Sequence, residues 1–206
     1  MQTKARRVVV VAYEELDLLD VAAPLAVFSS AGRRWNFRPY KVTVVGTGSG
    51  LISTRDQLRI ETVEPISAAA PADVVLLPGG YGARRWLQEP THLAELNRIA
   101  AGAEWIGAVG SGVLAVLAAG LLPEGQVSAN AELASTPEAQ PFLERLKTAE
   151  RGVIVSGRVL SVARSAAAVE LALAIVRNTL GPKLVAMVRS ELGLEPEAET
   201  LKIKYE

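Results

Sequence analysis

WIGAVGSGVLAVLAAGLL, Trp105 to Leu122, carries an apolar run through Gly110-Ser111-Gly112 directly into an apolar, alanine-rich helix. This succession of strand, tight turn and helix has the form of a nucleophile elbow or an anion cradle. The turn asks for glycine because the reversal presses the backbone against its neighbours, and it leaves the first N–H groups of the helix free to face a ligand. What stands at the apex decides the chemistry. Here the apex offers Gly110 and Ser111, and no cysteine exists anywhere in the chain to supply a thiolate.

On both sides of the elbow, short apolar runs alternate with helical patterns, which predicts an α/β fold with a mainly parallel sheet sandwiched by helices. Val8 to Val11 is a continuous β-branched run, as a strand buried on both faces should be. Helical spacing follows from about Asp17 to Ser30, with Leu18, Val21, Leu25 and Phe28 on one face and Pro24 within it. Lys41 to Gly46 reads as a second strand, and Leu51 to Glu61 as two short extended pieces turning at Asp56. Val74 to Leu77 is a buried strand that stops at Pro78-Gly79-Gly80. Thr91 to Ala103 has the pattern of an amphipathic helix with Thr91 as its cap. Later come a short piece at Gln126 to Ser128, a helix at Pro137 to Lys147, and a hairpin from Val153 to Val162 around Ser156-Gly157. Two closing helices, Ser165 to Leu180 and Pro182 to Leu192, meet at Gly181-Pro182.

The 206 residues, half of them hydrophobic and 21% charged, suffice for one domain with a full core. We expect that domain over residues 1–194 and a C-terminal tail over 195–206, mobile as far as Leu201. The formal net charge is zero with acids and bases interspersed, so the balance recommends neither nucleic acid nor a membrane surface as partner. No apolar run approaches the roughly 20 residues that span a bilayer, and a cytoplasmic location is the expectation. Without cysteine there are no disulfides and no cysteine-ligated zinc.

Three stretches carry a family resemblance: Leu19-Asp20-Val21-Ala22-Ala23-Pro24-Leu25-Ala26-Val27-Phe28, then Val75-Leu76-Leu77-Pro78-Gly79-Gly80, then the elbow with its Ala118-Ala119-Gly120-Leu121-Leu122 ending. In this order and at these separations they resemble the DJ-1/PfpI (ThiJ/PfpI) superfamily. The nearest branch is that of isonitrile hydratase-like proteins and the sensor domains of AraC-type regulators. The resemblance implies a flavodoxin-like, class I glutamine amidotransferase-like fold, a homodimer, and a small-molecule site without metal or cofactor.

Residue by residue, the resemblance places the family's elbow cysteine at Gly110, so the nucleophile is missing. The acidic residue that hydrogen-bonds the thiol falls on Asp20, and a histidine position falls near Ala131, where none stands. The family's oxyanion donors, which are backbone N–H groups, fall on Gly80 or Tyr81 and on Ser111. The plainer reading of Gly79 and Gly80 is as the permissive residues of a turn.

Other candidates have plainer readings beside the functional ones. Ser111 could attack a substrate only with a base to take its proton; otherwise it caps the helix. The single histidine, His92, reads as an exposed first-turn residue. Arg84, Arg85 and Trp86 either line a pocket mouth facing an anion or form a solvated helix start with Trp86 packed inward. Two functions follow. In the first, a catalytically degenerate protein binds a small anionic or carbonyl ligand through the N–H groups of Gly110, Ser111 and Gly80, with Asp20 opposite. In the second, a cysteine-independent hydratase or hydrolase uses Asp20 as general base on water. A stand-alone sensor relative of the AraC-type regulators is the third reading.

Overall fold

The computed structural model describes residues 5–34, 39–48, 50–148, 152–195 and 204–205. The expected tail, 195–206, lies outside the described residues except for Glu195 and the pair Lys204–Tyr205.

Chain order is β1 (Arg6–Ala12), α1 (Leu18–Arg34), β2 (Tyr40–Gly46), β3 (Gly50–Ser53), β4 (Arg59–Thr62), β5 (Glu64–Pro65) and β6 (Val74–Leu77). Then come α2 (Gly82–Trp86), α3 (Pro90–Ala100), β7 (Trp105–Val109), α4 (Gly112–Ala118), β8 (Val127–Ala129) and α5 (Ala131–Ala134). The chain continues through β9 (Leu146–Thr148), β10 (Ile154–Ser156), β11 (Val159–Val162), α6 (Ala168–Leu180), α7 (Pro182–Glu191) and β12 (Lys204–Tyr205).

The main sheet has the order β12-β10-β11-β7-β6-β1-β2-β5. From β11 through β5 every neighbour is parallel, whereas β10 and β11 form the antiparallel hairpin expected around Ser156-Gly157. The valines Val8, Val9, Val10 and Val11 have no exposed surface, nor have Val74 and Val75, as a strand covered on both faces requires. Helices α1, α6 and α7 pack together, and α6 lies on β7 and β11. Gly107 explains how closely: a Cβ there would come within 2.7 Å of Leu171 on α6 and of Leu76 on β6. Helix α4 packs on β6 and β7 and contacts α2. β3 and β4 pair antiparallel as a separate ribbon whose turn holds Asp56.

Two expected helices are present with differences beside prolines. The helix expected over Pro137 to Lys147 is a 3-10 helix over Pro137–Arg145, and strand β9 follows it directly. Pro141, four residues after Pro137, has no N–H to give the carbonyl an α-helix would pair it with. The helix expected to begin at Thr91 starts at Pro90, with Glu89 at the N-cap position and no side-chain cap. Proline in the first turn needs none for its own missing N–H. No helix among the described residues is long and apolar enough to cross a membrane.

Candidate functional site

Strands β1, β6, β7 and β11 are parallel neighbours, so their carboxyl ends open on the same edge of the sheet, where α/β folds place their ligands. Each delivers part of the site. β7 ends in the elbow, where Gly110 sits at φ +51°, in the left-handed region, and turns the chain into α4. Helix α4 then lies so close to the end of β6 that a Cβ on Gly112 would stand 2.3 Å from the Leu77 carbonyl oxygen.

β6 ends in Pro78-Gly79-Gly80, and this turn is held from several sides. The buried Tyr13 hydroxyl donates to the Pro78 carbonyl. The Gly79 N–H donates to Asp20 Oδ2 at 2.7 Å, and the Asp17 N–H donates to the Gly79 carbonyl at 3.1 Å. The Ser111 hydroxyl donates to the Gly80 carbonyl at 2.8 Å, and Leu16 forms a β-bridge with Gly80. Position 79 is crowded, since a Cβ would meet Asp20 Oδ2 and the Val109 carbonyl at 3.0 Å and the Ser111 nitrogen at 3.3 Å.

The consequence is a pair of uncommitted donors. Among the described residues, the N–H groups of Gly80 and Ser111 make no hydrogen bond. The Gly110 N–H, expected as a third donor, is already given to the Val162 carbonyl at 2.9 Å. Its position offers space instead: a Cβ on Gly110 would meet nothing nearer than Ala163 O at 3.9 Å and Gly79 Cα at 4.0 Å.

Gly110, Ser111, Gly80 and Tyr81 line one cleft, of about 220 Å³. Charged residues around it are Asp17, Arg55, Arg84, Glu132 and Arg164. Arg55 is committed, standing 3.5 Å from Asp17, donating to the Tyr81 hydroxyl at 3.2 Å and lying 4.3 Å over its ring. Burial raises the Asp17 carboxyl above the ordinary range despite the opposing charge and hydrogen bond of Arg55. Asn130 also lines the cleft; its Oδ1 caps α5 by accepting the Leu133 N–H at 2.7 Å, and its Nδ2 donates to the Ala163 carbonyl at 3.2 Å.

The structure separates the expected site residues into two groups. Gly80, Tyr81, Gly110 and Ser111 meet in the cleft, while Gly79 and Asp20 are not among its lining residues and Ala131 is exposed, between the lining residues Asn130 and Glu132 in the chain. Ser111 occupies the N-cap position of α4 but makes no capping bond, because its hydroxyl is turned to Gly80. His92 is half-buried rather than exposed: its ring stacks on Trp86 at 5.1 Å, with Nδ1 3.0 Å from the Trp86 carbonyl. It is absent from the cleft. Trp86 packs inward, and Arg85 leaves the cleft to pair with Glu15 at 2.5 Å, whereas Arg84 lines it. The residues that sequence reading missed are Arg55 and Arg164. Arg164 follows β11 in Ala163-Arg164-Ser165, and only the sheet order, with β11 beside β7, brings it to the elbow.

Asp20 is 2% exposed, and its Oδ1 has no partner of hydrogen-bonding geometry. Burial lifts its carboxyl from 3.8 to about 6, opposed by the Ser165 side chain and the Gly79 N–H, with the charge of Asp17 adding to the rise. Ser165 favours the ionised form as a neighbour, though short of the geometry of a full hydrogen bond. A carboxyl raised in the folded state is most favourable to folding while protonated. That advantage is complete below the unfolded value and disappears as pH rises through about 6, a swing of up to about 3 kcal/mol. Chemical denaturation of Asp20→Asn beside the wild type should show their stability difference moving in the variant's favour from pH 4 to 6 and level above. An identical difference at pH 4 and pH 7 would mean that Asp20 titrates as it does in water.

A mainly parallel sheet with a strand-turn-helix elbow at its carboxyl edge, and two residues with unengaged backbone N–H groups lining a cleft there, defines an α/β protein of the nucleophile-elbow class. The DJ-1/PfpI family model matches residues 6–178, and the chain belongs to that family. Among solved structures, the fold is similar to a THiJ/PfpI family protein from Pseudomonas syringae, with TM-score 0.80 and 18% identity over 96% of this chain and 78% of that one. Drosophila melanogaster DJ-1beta gives TM-score 0.75 and 21% identity, over 94% of this chain and all of that one. Oxidized Toxoplasma gondii DJ-1 gives 0.76 and 18%, over 93% and 100%. At these identities the likeness concerns the fold. No curated protein matches the chain. No group of three His, Cys, Asp or Glu among the described residues could hold a metal ion.

Proposed function

We propose that this member of the DJ-1/PfpI family binds a small carboxylate or carbonyl compound at its elbow and does not run thiol chemistry there. The observation that carries this reading is the pair of unengaged N–H groups on Gly80 and Ser111, opening on a cleft whose apex is glycine. Such donors suit an oxygen bearing negative or partial negative charge. Ser111 does not replace the missing nucleophile, since its hydroxyl donates to Gly80 and no histidine reaches it as a base. A compact ligand fits, because the cleft is smaller than the ~300–1,000 Å³ typical of drug-sized sites. Thermal denaturation with small monocarboxylates, dicarboxylates, phosphate and aldehydes tests the reading. At about a hundredfold excess over Kd, a true ligand adds about 2.7 kcal/mol, or roughly 5–10 °C for a chain of this size. If none of these compounds moves the midpoint, the reading falls.

The second reading, hydration or hydrolysis with Asp20 activating water, has in its favour a buried carboxyl raised to about 6. We rank it second because Asp20 is not among the residues that line the cleft and its Oδ2 is taken by the Gly79 N–H.

A further inference from the structure

Among the described residues, two guanidinium groups of this cleft make no ion pair. Arg84, on α2 after β6, and Arg164, after β11, reach it from the strands on either side of the elbow strand β7. Neither has an ion-pair partner among the described residues, and Arg84 Nε is buried without any hydrogen-bond acceptor. Arg55, the third arginine, is held by Asp17 and Tyr81. Glu132, the other carboxylate of the lining, is exposed on α5 and leaves one positive charge in excess. A buried donor of a charged group left without an acceptor is costly and rare. Guanidinium answers such a demand best with a carboxylate or phosphate oxygen.

We infer that the ligand is a small dianion, with one anionic group at the Gly80 and Ser111 N–H groups and a second received by Arg84 and Arg164. This rests on the binding reading above and narrows it to compounds with two acidic groups, of which short dicarboxylic acids are the simplest. The two ends are recognised differently. Backbone N–H groups hold the first in fixed geometry, and the guanidiniums supply the charge that discriminates the second.

Isothermal titration calorimetry at constant ionic strength, with malonate, succinate and glutarate beside propionate, butyrate and valerate, tests this. In the wild type the best dicarboxylate should bind at least about tenfold more tightly than the monocarboxylate of the same length. In Arg84→Gln and in Arg164→Gln that preference should shrink to about threefold or less. Far-ultraviolet circular dichroism and thermal melts of both variants verify that they fold. Equal wild-type affinity for monocarboxylates and dicarboxylates overturns the dianion and leaves the elbow reading standing. A preference that survives both substitutions also overturns it, since the second charge is then held elsewhere. If no acid of either series binds, the dianion falls, and the elbow reading is then decided by the phosphate and aldehyde arms of the thermal screen.

Discussion

Replacing Gly112 by alanine is expected to cost about 3 kcal/mol of folding stability, the upper end of what one added methyl group does to a packed interior. The new Cβ would lie 2.3 Å from the Leu77 carbonyl oxygen, 2.5 Å from that of Pro78 and 2.9 Å from the Leu77 carbonyl carbon. All three are backbone atoms of the strand end and turn that carry the site, so no side chain can swing aside. Either α4 lifts away from β6 or the Pro78–Gly80 turn moves, and both disturb the pair of donors. Chemical denaturation measures the loss. Gly102→Ala is the control, because nothing lies within 4 Å of a Cβ there, and it should stay within about 0.5 kcal/mol of the wild type. A Gly112→Ala protein less than 1 kcal/mol below the wild type would show that the helix can be spaced off the strand cheaply.

Gly110→Cys should have the opposite character, with a small effect on folding and an all-or-none effect on reactivity. The position is open, its nearest neighbours to a Cβ being 3.9 and 4.0 Å away, so the cost is confined to a non-glycine residue at φ +51°. That strain is about 1–2 kcal/mol, or roughly 2–8 °C in the melting midpoint. The chain has no other cysteine, so iodoacetamide leaves the wild type untouched and should add one group to the folded variant, read by intact mass. If the thiol reacts only after denaturation, the apex is not open to the cleft.

How much of this could be read beforehand follows the division between backbone and side chain. The β-branched run Val8 to Val11, the stops at Pro78-Gly79-Gly80 and Gly110-Ser111-Gly112, and the hairpin at Ser156-Gly157 are local signals, and local propensity agrees with the tertiary structure at each. The unengaged N–H groups of Gly80 and Ser111 were legible for the same reason, because glycine turns announce backbone geometry, whereas the loss of the Gly110 N–H to the Val162 carbonyl was not. Side-chain commitments were not. Ser111 was expected to cap its helix, yet the approach of the Pro78–Gly80 turn offers its hydroxyl the Gly80 carbonyl. His92 sits in the first turn of α3 as expected, but Trp86, six residues earlier, folds back beneath its ring. Arg164 and Arg55 are separated by more than half the chain and meet only through the sheet order and the β3–β4 ribbon. Asp20 was read on the correct helix, but its commitment to the Gly79 N–H comes from a turn far along the chain that its own spacing does not announce.

The turn at Pro78-Gly79-Gly80 is fastened by Tyr13, Asp17, Asp20 and Ser111, and Gly110 takes no part in fastening it. The scaffold and the reagent are therefore separable. A lineage can exchange the group at the apex, or lose it, without rebuilding the surrounding architecture, and an engineer can treat that position as a socket for chemistry chosen afterwards.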